Sequence, residues 1–437
     1  MDLGGRAMVS GKSSTHESKR ITPLILTNTL TRRKEALHLL EPGTVKLVTC
    51  GPSVYRRPHV GNYRTFLYED ILHRYLEYLG YKVIRVINFT DVEDKAIAEL
   101  KRTGKKWKEI TEPTERQFFE DADLLQIKVP EVVPRSSTSV EQAVYLIQRL
   151  LDAGFAYWHQ GDIFFDPLKF RDFGKLFHLD MSRWPKKKRR FHKDTYPGRR
   201  WNLGDFILWH GCKKMESHPL CWETELGAGR PSWNIQDPAM VTKHLGYQAD
   251  IACGGIDNLY RHHDYNIAVI EAVSGKEFCH YWLHGEHVLV DGKKMSKSKG
   301  NTVYPQTLLD QGCKPAHLRF FLMYRHYRER LNLTDRSLDR ARGRLDRSKA
   351  MIKEIGIDRT AAGPDEATTG SLGREFLDIF EEAMNDDLDI EKAFDGIYER
   401  LAEMASDRKK GGLTAGQRQD IAGALSRIDR VLRVLGP

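Results

Sequence analysis

The chain is poor in cysteine, with six in 437 residues, too scattered to form a disulfide scaffold. Each therefore reads as a buried thiol or a candidate ligand, and oxidation is not expected to hold the fold together. Long apolar runs are also missing. Nothing approaches the roughly 20 residues that span a bilayer, and the N-terminal stretch lacks the apolar core of a secretory signal. These absences argue against a membrane or secreted protein and make the cytoplasm the expected location. What is there is 40% hydrophobic and 30% charged, the balance of a soluble globular protein with two or three domains. Lys and Arg number 69 against 60 Asp and Glu, a net charge of +9, which suits a polyanionic ligand such as a nucleotide or nucleic acid. Much of the excess sits at 186–190 and at Arg199 and Arg200, which fits a solvated basic loop as well as an RNA contact.

Residues 1–19 mix Gly, Ser, Lys and His without hydrophobic periodicity and read as a disordered leader. The run 46–50 is β-rich. After His59, apolar residues at Leu67, Ile71, Leu72, Tyr75, Leu76 and Leu79 recur at helical spacing until Gly80. A second strand is expected over 82–87, giving a β-loop-α-β unit of the doubly wound type and hence a parallel Rossmann-like α/β sheet. Further strands are expected at 163–165, 250–252 and 288–290, with helices over 140–151 and 265–273. The stretch from about 120 to 229, polar at its centre and holding Pro185, Pro197, Gly198 and Pro219, reads as an insert in a catalytic domain spanning 20–316. Beyond it, 317–437 is predicted as an all-α bundle with helices over 318–327, 338–355, 376–404 and 415–435.

Two separated motifs carry the chemistry. His59-Val60-Gly61-Asn62 lies where a strand hands over to a helix, and Lys294-Met295-Ser296-Lys297-Ser298 follows the strand at 288–290. At such a junction backbone N–H groups face an anion, and Gly61 permits close approach of a phosphate. Lys294 and Lys297 add mobile positive charge. Together they can neutralise a triphosphate as pyrophosphate departs, a mechanism that needs no protein nucleophile. Either motif alone would read as a turn histidine or a solvated charged loop.

With both present in this order, the chain resembles the class I aminoacyl-tRNA synthetases, and within them the cysteinyl-tRNA synthetases. The likeness runs through Asn28-Thr29-Leu30-Thr31-Arg32, Cys50-Gly51-Pro52-Ser53-Val54-Tyr55, Asn88-Phe89-Thr90-Asp91-Val92-Glu93-Asp94-Lys95, Gly254-Gly255-Ile256-Asp257, His262-His263 and Tyr281-Trp282-Leu283-His284. It implies that an amino acid attacks ATP, with Mg²⁺ assistance, to give an aminoacyl adenylate and pyrophosphate. In that frame His59 and Asn62 contact phosphates and Lys294 and Lys297 stabilise pyrophosphate. Gly61, Gly254, Gly255, Ser296 and Ser298 belong to the ATP site, and Asp257 holds the ribose. Cys50, Gly51, Ser53, Thr90 and Trp233 line the amino-acid pocket. Without the family frame, Trp233 reads as a core indole and Asp257 as a turn-capping carboxylate.

The resemblance also implies a zinc site of two cysteines, a histidine and a glutamate that selects a thiol. Here Cys50 and His262 occupy two of those positions, but the others hold Asp237 and Asn266. Asp237 can ligate zinc alongside Cys50 and His262, whereas Asn266 is a poor replacement for a carboxylate. Without zinc, Asp237 is an acidic group in the pocket that must meet a cation or donor, as an amine- or hydroxyl-bearing substrate would provide. For Cys212 and Cys221 in the insert, spacing supports a separate metal site only weakly, and unpaired thiols are the better reading. After helices resembling the family bundle, the small anticodon-reading domain usual in the family is not expected.

The first expectation is therefore an ATP-dependent, AMP-forming ligase that activates an amino acid other than cysteine and passes it to a small amine or carrier. One alternative is an authentic, divergent cysteine-tRNA ligase acting on tRNA. Another is a non-catalytic paralogue that binds an amino acid or nucleotide and regulates a partner.

Overall fold

A computed structural model describes residues 23–183, 204–212, 220–295, 300–359, 370–407 and 412–436. The expected leader, the basic cluster at 186–190 with Arg199 and Arg200, and Ser296, Lys297 and Ser298 lie outside the described residues. Among the described residues no helix is long and apolar enough to cross a membrane.

Thr44–Thr49 alternates half-buried and buried residues, whereas every residue of Ala249–Gly255 is buried. A strand covered on both faces belongs in the middle of a parallel sheet. The order is Cys279–Gly285, Ala249–Gly255, Thr44–Thr49, Lys82–Ile87, with all neighbours parallel. The chain leaves Thr44–Thr49 for the strand on one side and returns later to the other. Loops at the carboxyl ends of the two middle strands therefore diverge, and a crevice opens between them. The helix Val60–Tyr78 fills one face with Leu67, Ile71, Leu72, Tyr75 and Leu76, all fully buried. Gly80, at φ +91°, turns the chain back into the neighbouring strand.

Of the other expected strands, only 250–252 joins this sheet. Asp162–Phe165 pairs with Ala156–His159 and Phe206–Gly211 in a separate antiparallel sheet closed by Gly229–Pro231. Val288–Val290 lies between Lys293–Lys294 and Leu331–Leu333 in a third sheet. Apolar alternation marks a strand but not its partner, so the sequence could not separate these sheets. The antiparallel unit is closed by Cys212 and Cys221, which form a disulfide with Cα atoms 6.3 Å apart. Their reading as unpaired thiols is corrected. The hairpin-like return that brings Cys212 beside the Trp222–Gly229 bridge sets this proximity, and nine residues of spacing do not reveal it.

The C-terminal region is helical, over Pro315–Tyr324, Asp335–Glu354, Ser371–Met384, Ile390–Asp407 and Ala415–Leu432. The expected continuous helix over 376–404 is broken in two. Asp387 and Leu388 adopt positive φ (63° and 59°), and the interrupted segment joins the strand Ile25–Asn28: Ile25 N–H donates to Asn385 O, and Asp387 N–H to Ile25 O. The Asp387 carboxylate in turn accepts from Thr27 N–H and Tyr327 O–H. These tertiary bonds outweigh a helical periodicity that is strong on both sides of the break. The bundle is fastened to the parallel core by Arg319, 1% exposed, which donates to Asp70 Oδ2 and to the carbonyls of Leu125 and Leu432. Burial raises the Asp70 pKa, but Arg319 and Arg74 more than reverse it and hold the carboxyl below its usual range.

Candidate active site

The crevice at the sheet's switch point is a cleft of about 330 Å³. Its first wall is the segment from Cys50 to Asn62. Gly51 is obligatory there, since a Cβ would lie 1.7 Å from Asn88 O. That close approach lets the chains after two neighbouring strands continue side by side, with Ser53 bridging Thr90 and Val54 N–H donating to Thr90 O. Cys50, Ser53 and Thr90 consequently face the cleft with His59 and Asn62.

His59 caps the helix Val60–Tyr78. Its Nδ1 accepts from Asn62 N–H at 3.3 Å while Asn62 Oδ1 accepts from His59 N–H at 3.0 Å, a reciprocal box that fixes both side chains at a helix N-terminus. Gly61 lies between them. A Cβ on it would stand 2.9 Å from Met295 Cε and 3.0 Å from His59 Cε1. Met295 is the second residue of the lysine motif, so the two distant motifs meet at Gly61. The neighbouring Lys294 is exposed and its Nζ lies 2.9 Å from His287 Nε2. Val60 N–H donates to Val303 O, which ties the segment beyond the lysine motif to the same helix.

The opposite wall comes from the end of Ala249–Gly255 and the helices Trp233–Leu245 and His262–Ser274. Gly254 packs so closely that a Cβ would lie 2.7 Å from His263 Cε1 and 3.0 Å from Cys50 Sγ, and on Gly255 it would lie 2.7 Å from Asp257 Oδ1. Tyr68 O–H, from the His59 helix, accepts from Gly254 N–H and fixes this strand end. Trp233, Asp237, Gly255, Asp257 and His262 line the cleft. Trp233 stacks on the His262 ring at 4.9 Å, and His262 Nε2 lies 2.5 Å from Asp237 Oδ2. Asn266 does not line the cleft; it lines a cavity of about 10 Å³ behind it, with Cys50, Asn88 and Asp237. Cys253 borders the same cavity.

Sequence reasoning missed Arg56, Arg57, Glu93 and Asn258, which also line the cleft. Two arginines between a strand and its phosphate-facing helix were a usable signal. Glu93 and Asn258 had none, because their positions depend on how the walls pack. Burial raises the Glu93 pKa despite Lys95 nearby, and it pushes the Cys50 thiol well up, with Glu69 adding to the effect. Beneath Cys50, burial raises Glu69 to about 8 against the pull of Arg85, and Glu69 Oε1 accepts from Cys50 N–H. On the far side, His263 Nδ1 meets His284 Nε2 at 2.9 Å, and His284 Nδ1 meets Thr29 Oγ1. Desolvation lowers both imidazoles, His284 to about 3, so this pair is neutral at pH 7.

Of the ligand positions implied by the resemblance, Cys50, Asp237 and His262 line the same cleft and Asn266 lies behind it. Among the described residues no group of three or more His, Cys, Asp or Glu could hold a metal ion. His262 Nε2 is engaged by Asp237, Cys50 Sγ accepts from Asn258 Nδ2 at 2.7 Å, and Asn266 offers only an amide. With Asp237 and Asn266 at two of the four positions, the donor set is harder and less charged than the two cysteines, histidine and glutamate of a thiol-selecting zinc site.

A crevice at the switch point of a parallel sheet, walled by a capped helix N-terminus and a glycine-rich strand end, defines a nucleotide-binding α/β enzyme. The model of the "tRNA synthetases class I (C) catalytic domain" matches residues 36–343, and the chain belongs to this family of ATP-dependent ligases. It is 37% identical over 417 residues to a cysteine-tRNA ligase of Chlamydia pneumoniae, covering 95% of this chain and 87% of that protein. It is 36% identical over 379 residues to a cysteine-tRNA ligase of Thermococcus onnurineus, covering 85% of this chain and 78% of that one. In fold it is similar to Mycobacterium tuberculosis methionyl-tRNA synthetase in complex with methionyl-adenylate, with a TM-score of 0.60 at 14% identity and 90% of each chain covered.

Proposed function

We propose that this chain adenylates an amino acid with ATP and transfers the aminoacyl group to tRNA. The observation that carries this reading is the meeting at Gly61, which Met295 of the lysine motif and the His59 cap both approach closely. In the first step a carboxylate oxygen of the amino acid attacks the α-phosphorus. A bond forms there while the bond from the α-phosphorus to the bridging oxygen breaks, and pyrophosphate leaves with the electron pair. The residues bind and neutralise charge without giving or taking a proton. His59 and Asn62, presented at the helix N-terminus, hold the phosphates, and Gly61 lets them approach. Lys294, with Lys297, offsets the charge accumulating on pyrophosphate, alongside Mg²⁺ carried by the nucleotide. Asp257 accepts from the ribose hydroxyls beside the flat surface of Gly254 and Gly255. In the second step an acceptor hydroxyl attacks the carbonyl carbon, the bond from that carbon to the phosphate oxygen breaks, and AMP departs with the electron pair while its phosphate takes up the hydroxyl proton.

tRNA is the acceptor that the relatives' names support, and the small amine or carrier expected from the sequence finds no support in the comparisons. Amino-acid-dependent exchange of labelled pyrophosphate into ATP, followed by charging of total tRNA, tests both steps. Exchange and charging are expected. ATP binding without exchange would overturn the reading in favour of a non-catalytic paralogue, and exchange without charging would overturn the choice of acceptor.

A further inference from the structure

The disagreement between this pocket and a thiol-selecting zinc site extends to the substrate. We propose that the pocket selects, without zinc, a short amino acid whose side chain ends in a hydrogen-bond donor, an amine or a hydroxyl, recognised by Asp237. This rests on the reading that the chain adenylates an amino acid.

Size comes first. The cavity behind the cleft measures about 10 Å³, room for about one water-sized atom. Cys50, Asn88 and Asp237 line both the cleft and the cavity, so a side chain reaching past them ends after one heavy atom. Polarity comes second. Asp237 is 7% exposed, Asn266 7% and Asn88 5%, and the side-chain oxygens of both asparagines accept from no protein group. Buried acceptors without donors favour a ligand that donates. A carboxylate only accepts when ionised, and a thiol is a weak donor where an amine or hydroxyl is a strong one.

Rigidity comes third. Asp237 is held by His262, whose ring is itself clamped under Trp233, so the acceptor is set in place before substrate arrives. A pocket built to hydrogen-bond its ligand rejects an isostere that lacks the donor far more strongly than an apolar pocket rejects a missing methylene.

The test uses the purified full-length chain, its metal content, and pyrophosphate exchange with serine, 2,3-diaminopropionate, cysteine and 2-aminobutyrate. Amino-acid binding is measured in parallel by calorimetry. Serine or 2,3-diaminopropionate should exceed both cysteine and 2-aminobutyrate in kcat/KM by roughly tenfold or more, and a zinc chelator should leave exchange unchanged. Asp237→Asn should raise KM for the preferred substrate by roughly tenfold while leaving KM for ATP and the melting temperature near wild type. Preference for cysteine with a zinc equivalent whose removal abolishes exchange would overturn the inference, as would equal use of 2-aminobutyrate. If exchange fails with every amino acid while calorimetry still shows the donor preference, the adenylation reading falls and the pocket assignment stands. If neither binding nor exchange shows that preference, the pocket assignment falls too.

Discussion

Replacing Gly61 with alanine adds one methyl group at the meeting point of the two motifs. Its Cβ would stand 2.9 Å from Met295 Cε and 3.0 and 3.1 Å from two atoms of the His59 ring. The methionine end can swing aside, but the imidazole is held by its bond from Asn62 N–H. Relieving the contact therefore loosens the cap, worth about 1 kcal/mol. Alanine in place of glycine in a helix returns up to about 1 kcal/mol, so the melting temperature should barely move. Catalysis should not be spared, since displacing a positioned group by about 1 Å can lower a rate by roughly 10²-fold. The measurements are pyrophosphate exchange and thermal unfolding on the same preparation. Exchange within about twofold of wild type would refute the claim that the cap and the lysine motif act as one site. Lost activity accompanied by a collapse in stability would refute the energetic balance.

Lys294→Ala should reduce kcat by roughly 10- to 100-fold with little change in KM for the amino acid, because its charge acts on departing pyrophosphate; steady-state exchange kinetics separate the two. Arg319→Met leaves a fully buried Asp70 without its innermost partner and should destabilise the protein by about 3–5 kcal/mol in denaturant unfolding. Glu69 binds its proton more tightly when folded, with its pKa raised to about 8. Its contribution to stability is thus present below the ordinary carboxylate range and is lost as pH rises through the folded pKa, at up to about 1.4 kcal/mol per pH unit. Glu69→Gln should remove that slope, and a pH series of unfolding curves would show an unchanged slope if the assignment is mistaken.

The sequence by itself determined whatever depends on near neighbours. Helical spacing at Leu67, Ile71 and Tyr75, the turn at Gly80, and His59 three residues ahead of Asn62 are local patterns whose physics is complete within a turn or two. For that reason the parallel core and the phosphate-facing junction were legible. Tertiary structure decided what local pattern leaves degenerate: which strands share a sheet, where 376–404 breaks, and that Cys212 meets Cys221. It also decided the character of the pocket. Cys50, Asp237 and His262 come from three elements, and the sequence allowed them to ligate a metal. Packing brings His262 onto Asp237 and Asn258 onto Cys50, because hydrogen-bond geometry in a crowded interior is fixed by neighbours far away in the chain.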